Sequence, residues 1–208
     1  MLDAICDVLK FAYKKNWIST RDGNMSFRRK NSEYFYVTPS GVRKNYLNSE
    51  MIIKLTLPGL ERVSDETQDK ICGLKPTGEL HLHYLLQKTV PENRVVLHLH
   101  PTYIIAAMFA GIDLQKMENE FPEINRYTKV GPTVPVLAPI SKELAEASVK
   151  ALGWNEGTGE VQYDIIGLDR HGVVAIGKDP WSALQNVERL EHICQIVLAS
   201  GNFHHLKK

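Results

Sequence analysis

Residues 94–101 read Arg94-Val95-Val96-Leu97-His98-Leu99-His100-Pro101, and the architecture is built around this stretch. A short apolar run with two β-branched residues, closed by Pro, reads as a buried strand over Arg94–His100. Side chains of a strand alternate between its two sides, so residues i and i+2 share one. His98 and His100 therefore point the same way, while Leu97 and Leu99 point the opposite way into apolar packing. Pro101 ends the strand and leaves both imidazoles at its rim. Two imidazoles so placed can reach one metal ion. Taken alone, the pair serves equally well as a decorated strand face.

Working outward, the spacing upstream predicts an amphipathic helix over Leu2–Lys15, with Leu2, Ile5, Leu9, Ala12 and Tyr13 on one face. Strands are expected at Asn24–Arg29, Tyr34–Thr38 and Met51–Leu57, and a polar loop at Asp65–Gly73. Thr77 caps a helix from Gly78 to Gln87. Downstream, a helix over Tyr103–Ala110 ends at Gly111, and a strand covers Val134–Ala138. Ser141 opens a helix reaching Leu152, with Glu143 in its first turn. Asp164–Leu168 and Val173–Ile176 pair as a hairpin turning at Asp169-Arg170-His171-Gly172. Asp179-Pro180 then starts the last helix, Asp as cap and Pro at the first position. Strands mixed with helices and joined by short breaks give one layered α/β domain over residues 1–208 with a partly antiparallel sheet.

Composition narrows the function classes. The chain has 208 residues, and 25 Lys+Arg against 24 Asp+Glu leave a net charge of +1, so no overall field draws it to nucleic acid or an anionic membrane. No apolar run approaches the ~18 residues of a membrane span. The amino-terminal residues lack the apolar core of a secretory signal. Cys6, Cys72 and Cys194 are three widely spaced thiols, which favours a reducing, cytoplasmic setting over a disulfide framework.

Several residues carry candidate chemistry. His171, in the hairpin turn, is the best third ligand, and three His with an open position is the layout of a catalytic zinc site. Glu79, at a helix start, is the candidate acid/base; a carboxylate there also suits the helix dipole. His83 follows Glu79 by four residues on one helical face, so Glu79-xxx-His83 is a rival ligand pair ranked below His98/His100. His81, His192, His204 and His205 read as solvent residues. Gly23-Asn24-Met25-Ser26, Thr38-Pro39-Ser40-Gly41 and Thr77-Gly78 are turns whose hydroxyls and amides together suit a phosphate, although each alone is an ordinary turn. Neither a GxxxxGK[ST] nor a GxGxxG loop is present.

The order of these segments is more specific than any one of them. GNMS, then VTPSG, then KPTGE with a His four residues on, then VVLHLHP, then a late HG and a helix with an LE pair resembles the class II aldolase/adducin family from about Ala4 to Ser200. The resemblance implies an α/β/α domain around a central, mainly antiparallel sheet and a C4 homotetramer with the site near a subunit interface. It implies that His98, His100 and His171 bind a divalent metal, Zn²⁺ with Mn²⁺ or Co²⁺ as alternatives. It implies Glu79 as general acid/base, and Asn24, Ser40, Gly41 and Thr77 as the grip on a substrate phosphate. The implied reaction is cleavage or formation of a C–C bond in a ketose 1-phosphate, giving dihydroxyacetone phosphate and an aldehyde through a metal-stabilised enediolate. Methylthioribulose-1-phosphate dehydratase, sugar-phosphate 4-epimerase and a non-catalytic adducin-like module are the alternatives. Aldolase members carry two Ser before the Glu, where this chain has Thr77-Gly78. Epimerases carry Asp at the Glu79 position, and adducin-like members lack the His set. In the family a Tyr from a neighbouring subunit or the carboxy-terminal region serves as proton donor; Tyr103 and Tyr127 are the candidates here. Glu118, Glu120 and Glu123 are expected in a solvated acidic loop near the site.

Overall fold

The computed structural model describes residues 1–89 and 94–207. The helix α1 (Leu2–Lys14) turns its buried Ile5, Val8, Leu9 and Ala12 to one side, as its spacing dictates. Strands β1 (Asn24–Arg28), β2 (Tyr34–Val37) and β3 (Ile53–Thr56) follow. Then come the short helix α2 (Glu66–Lys70), the helix α3 (Leu80–Thr89), β4 (Val95–Leu99) and α4 (Thr102–Phe109). Helices α5 (Leu114–Glu120), α6 (Pro122–Tyr127) and α7 (Lys142–Ala151) lead to the hairpin of β5 (Ile165–Leu168) and β6 (Gly172–Gly177). The final helix α8 (Pro180–Ser200) starts in a reciprocal capping box of Asp179 and Ser182 with Pro180 at its first position, and ends at Gly201 with φ 68°.

Among the described residues, six strands form one antiparallel sheet in the order β3-β2-β1-β4-β6-β5. β4 lies inside this sheet and is buried along its whole length, which is why its sequence reads as a continuous apolar run. Its odd residues Val95, Leu97 and Leu99 join the core beneath α1, α4 and α8. Val96 faces the opposite layer, packed with Leu82 and Leu86 of α3 and Leu144 of α7. The same alternation delivers His98 to the α3/α7 face, with Asn24 of β1 directly across from it on one side and Val174 of β6 on the other. Among the described residues no helix is long and apolar enough to cross a membrane.

Several expected elements differ. Val134–Ala138 is not a strand: Val134 makes a single parallel bridge to Leu168, and Pro132, Pro135 and Pro139 have no N–H to extend the ladder. The polar stretch Asp65–Gly73 contains α2, because the Asp65 side chain accepts the amides of Thr67 and Gln68. The third strand is shorter than expected, since residues 49–51 form a 3₁₀ turn capped by Asn48. The acidic segment around Phe121-Pro122 is helical, with Asp113 capping α5 and Pro122 opening α6.

Candidate active site

Three turns and two strand ends meet at a cavity of about 400 Å³. His98, His100 and His171 share one wall with Glu79, and Asn24, Ser40 and Thr77 line the same space. Gly41 is not on that wall. It takes φ +73° at the exposed tip of the Pro39-Ser40-Gly41 turn, where it shapes the loop.

The histidines converge. Their ring centroids lie 4.8 Å apart for His98–His100, 4.8 Å for His98–His171 and 5.2 Å for His100–His171. His98 Nδ1 is 2.9 Å from the Val173 carbonyl, which can only accept, so Nδ1 carries the proton and Nε2 turns its lone pair to the cluster. His100 Nε2 is 2.9 Å from His98 Nε2, and one nitrogen from each of the three rings lies within 4.8 Å of the others. Tetrahedral bonds of zinc–imidazole length separate ligand atoms by about 3.3 Å, a spacing inside that range. His171 Nδ1 is buried with no hydrogen-bond partner. A cluster of nitrogens facing one another, with a buried ring nitrogen left over, fits a divalent cation.

Burial also shifts the titration of these groups. It pushes His98 well below the ordinary histidine range, His100 down to about 4 and His171 down as well. Asp22 opposes the shift at His100 and His171. The neutral imidazole is the form that binds metal. Glu79, only 7% exposed, moves the other way, raised by burial. The Ile140 N–H opposes that rise, lying 3.2 Å from both carboxylate oxygens. Glu79 Oε1 is 3.9 Å from His171 Nε2, so the carboxylate borders the cluster.

The rival pair is resolved by hydrogen bonding. His83 is fully buried, with Nδ1 2.8 Å from Ser26 Oγ and Nε2 2.5 Å from Asn24 Oδ1. The Asn24 oxygen accepts, so the His83 proton sits on Nε2, and Ser26 donates to Nδ1 while accepting from Gln87. Both ring nitrogens are used, and His83 is a support for Asn24. With its oxygen held by His83, the Asn24 carboxamide keeps its NH₂ as the remaining donor, and Asn24 lines the cavity. The turns are tied to one another: Thr38 Oγ1 accepts the Met25 amide, Ser40 N–H donates to the Lys75 carbonyl, and Thr77 N–H donates to the Thr38 carbonyl. Thr77 Oγ1 accepts the Glu79 amide at 3.3 Å.

Some expectations fall away. Tyr103 and Tyr127 do not line this cavity from within the same chain; both are exposed, and the guanidinium groups of Arg126 and Arg189 lie 5.2 Å and 5.4 Å from the Tyr127 ring centroid. Glu118, Glu120 and Glu123 are also elsewhere: Glu118 accepts the Val130 amide, Glu120 pairs with His205, and Glu123 borders a cavity with Arg189 and His192. His81 is half-buried against Tyr84. Arg21, Asp22, Lys44, Pro139 and Ile140 line the cavity without having been singled out from sequence. Arg21 and Asp22 adjoin the Gly23-Asn24 turn and could have been found by that adjacency. Lys44 and Ile140 carry no sequence signal.

A family model described as the class II aldolase and adducin N-terminal domain matches residues 3–198. The chain is 31% identical over 198 residues to an L-fuculose phosphate aldolase of Methanococcus maripaludis, covering 95% of this chain and 94% of that protein. It is 27% identical to a 3-oxo-tetronate 4-phosphate decarboxylase of Pectobacterium atrosepticum, covering 91% of this chain and 80% of the relative. A crystal structure of a sugar-phosphate aldolase from Thermotoga maritima matches with a TM-score of 0.74 at 26% identity, covering 97% of this chain and 96% of that one.

Proposed function

The chain belongs to the class II aldolase and adducin family, and from that premise we propose that this aldolase-type lyase makes and breaks a C–C bond of a ketose 1-phosphate. The reaction releases dihydroxyacetone phosphate and an aldehyde in the cleavage direction. The observation that carries the reading is the meeting of three neutral imidazoles and one buried carboxylate on a single cavity wall. His98, His100 and His171 hold the divalent cation, with zinc as the first choice. When bound, the cation supplies Lewis acidity that stabilises negative charge on the substrate's carbonyl oxygen. Family membership further leads us to read residues 1–208 as one domain working as a homotetramer in the cytoplasm, with the site near a subunit interface.

The chain's own groups do the rest. Asn24 NH₂ and the hydroxyls of Ser40 and Thr77 hold the phosphate, and Gly41 lets the turn approach it. In condensation, Glu79 removes a proton from the carbon beside the carbonyl. In cleavage a base takes the proton from the hydroxyl that becomes the aldehyde oxygen as the C–C bond breaks, and Glu79 gives its own proton to the carbon left on dihydroxyacetone phosphate; condensation runs the same transfers in reverse. Its burial strengthens it as a base, and the Ile140 N–H keeps its ionised form available. A positioned acid/base of this kind contributes about 10²–10⁴ in rate.

The test is a panel of ketose 1-phosphates with metal-loaded protein, scored for dihydroxyacetone phosphate. Release from at least one member, lost on chelation, is the expected result. Loss of water, C4 inversion, or carbon dioxide from a 3-oxo acid phosphate, with no dihydroxyacetone phosphate from any ketose, would replace aldol cleavage by dehydration, epimerisation or decarboxylation.

A further inference from the structure

Lys44 lies at the wall of the cavity that Asn24, Ser40 and Thr77 line, and no step above uses it. It is 1% exposed. Its Nζ donates to the Arg21 carbonyl at 3.1 Å and to the Val42 carbonyl at 3.4 Å, and its amide donates to the Thr20 carbonyl at 2.9 Å. One residue thus fastens the segment entering Gly23-Asn24 to the segment leaving Ser40-Gly41.

A neutral donor could join those two carbonyls, so the fastening alone does not explain a cation. An ammonium has three N–H groups, and both of its acceptors here are uncharged. The carboxylate acting on it, Asp22, is exposed at the cavity rim. Burial pulls the Lys44 ammonium down to about 8, against the pull of Asp22. A buried charge without a buried counter-charge is destabilising unless something supplies one. Arg21 also lines the cavity, but it is exposed and its charge is screened by water and salt. The charge of Lys44 is not screened in that way.

We propose that Lys44 is a specificity-determining residue whose buried ammonium makes the cavity select a sugar bearing a phosphate dianion over the same sugar without it. The proposal rests on the ketose-phosphate reading above. Neutral hydrogen bonds from Asn24, Ser40 and Thr77 position the phosphate, and Lys44 adds the charge that a hydroxyl group in its place cannot use.

The experiment compares Lys44→Gln, which keeps a donor, with Lys44→Arg, which keeps the charge, in the metal-loaded full chain. The readouts are kcat/KM for a ketose 1-phosphate and for the unphosphorylated ketose, and competition by inorganic phosphate. In Lys44→Gln the phosphorylated-to-unphosphorylated ratio of kcat/KM falls about tenfold or more, and the Ki of inorganic phosphate rises to match. Lys44→Arg retains most of the selectivity. Equal losses for both sugars would make Lys44 a strut and overturn the proposal, as would an unchanged ratio. Should Lys44→Gln fail to fold, the Lys44 Cε resonance of the wild type decides: it moves on saturation with inorganic phosphate, and a stationary resonance overturns the proposal. A wild type with no preference for the phosphorylated sugar would refute both the phosphate reading and this inference. A phosphate-selective wild type with an indifferent Lys44→Gln would refute this inference alone.

Discussion

Gly172→Ala is the substitution that most directly tests how the histidine cluster is held. Gly172 opens β6, pairs with Leu168, and follows His171. A Cβ there would lie 2.3 Å from the Leu99 carbonyl oxygen and 2.8 Å from His100 Cδ2. Ordinary contact begins near 3.4 Å, so β4 and β6 must part by about 1 Å at this end and the His100 ring must move by about 0.6 Å. The carbonyl is backbone and cannot rotate away as a flexible side chain would. The hydrogen bond from His98 Nδ1 to the Val173 carbonyl spans the same two strands and stretches with them. Overpacking of this size costs about 1–3 kcal/mol of stability. Loss of such a bond behind a ligating imidazole lowers metal affinity about 10–100-fold, and a 1 Å misplacement of reacting groups can cost about 10²-fold in rate. Urea unfolding, metal titration against a competing chelator, and kcat/KM measure the three effects. Gly73→Ala is the control, because a Cβ there meets nothing within 4 Å; its stability stays level or rises by about 0.4–1 kcal/mol. If Gly172→Ala bound metal and turned over within about twofold of the wild type, close packing of β6 on His100 would not be what orients the cluster.

Glu79→Gln should keep its bound cation, since the imidazoles are untouched, and lose about 10²–10⁴ in kcat; elemental analysis with steady-state kinetics checks both, and near-native turnover would remove Glu79 from the reaction. His83→Phe strips the partner from Asn24 Oδ1 and from the Ser26 hydroxyl. It should destabilise the fold by about 2–4 kcal/mol and raise KM more than it lowers kcat, because the Asn24 carboxamide loses its orientation. Stability of the metal-free protein should fall with acid. His83, held down to about 3, His100, held down to about 4, and His98 and His171, also lowered, are neutral when folded but titrate near ~6.5 when unfolded. Below about pH 6.5 the unfolded chain therefore binds more protons, and the stability present above that pH is lost toward pH 4 by up to about 1.4 kcal/mol per unit for each imidazole. Denaturant titrations between pH 7 and 4.5 measure the slope, and a flat line would mean that the imidazoles protonate inside the fold.

What could be read from sequence was what obeys a short period or a local cap. Alternation placed His98 and His100 together and sent Leu97 and Leu99 into the opposite core, and Asp179-Pro180 marked the start of α8 to the residue. The spacing of Glu79 and His83 offered a lower-ranked second pair, and the fold separates the two for a definite reason. Glu79 precedes the first residue of α3, so its carboxylate follows the turn to Ile140 while His83 follows the helix face to β1. Helices α2, α5 and α6 are five to seven residues long. So few residues show no hydrophobic period, and only the caps Asp65 and Asp113 and the opening Pro122 signalled them. Lys44 was illegible because a Lys in a polar loop reads as solvated until the chain folds over it. Ile140 was illegible because its part is played by a backbone N–H, at φ 67°, where a β-branched residue is seldom found.

One physical cause sets the site's charge states. Removing water disfavours whichever form is charged, so it lowers the pKa of His98, His100 and His171 and raises that of Glu79. On the proposed reading, the first effect suits the imidazoles to a cation and the second would strengthen the carboxylate as a base. The apolar walls are therefore as much part of the chemistry as the polar groups. Val96, Leu82, Leu86 and Leu144 seal the face onto which β4 projects His98. The Ile140 amide, donating to both Glu79 oxygens, limits the rise that burial imposes. It follows that a cavity opened in this layer should disturb ligand and base together, through hydration, without touching either.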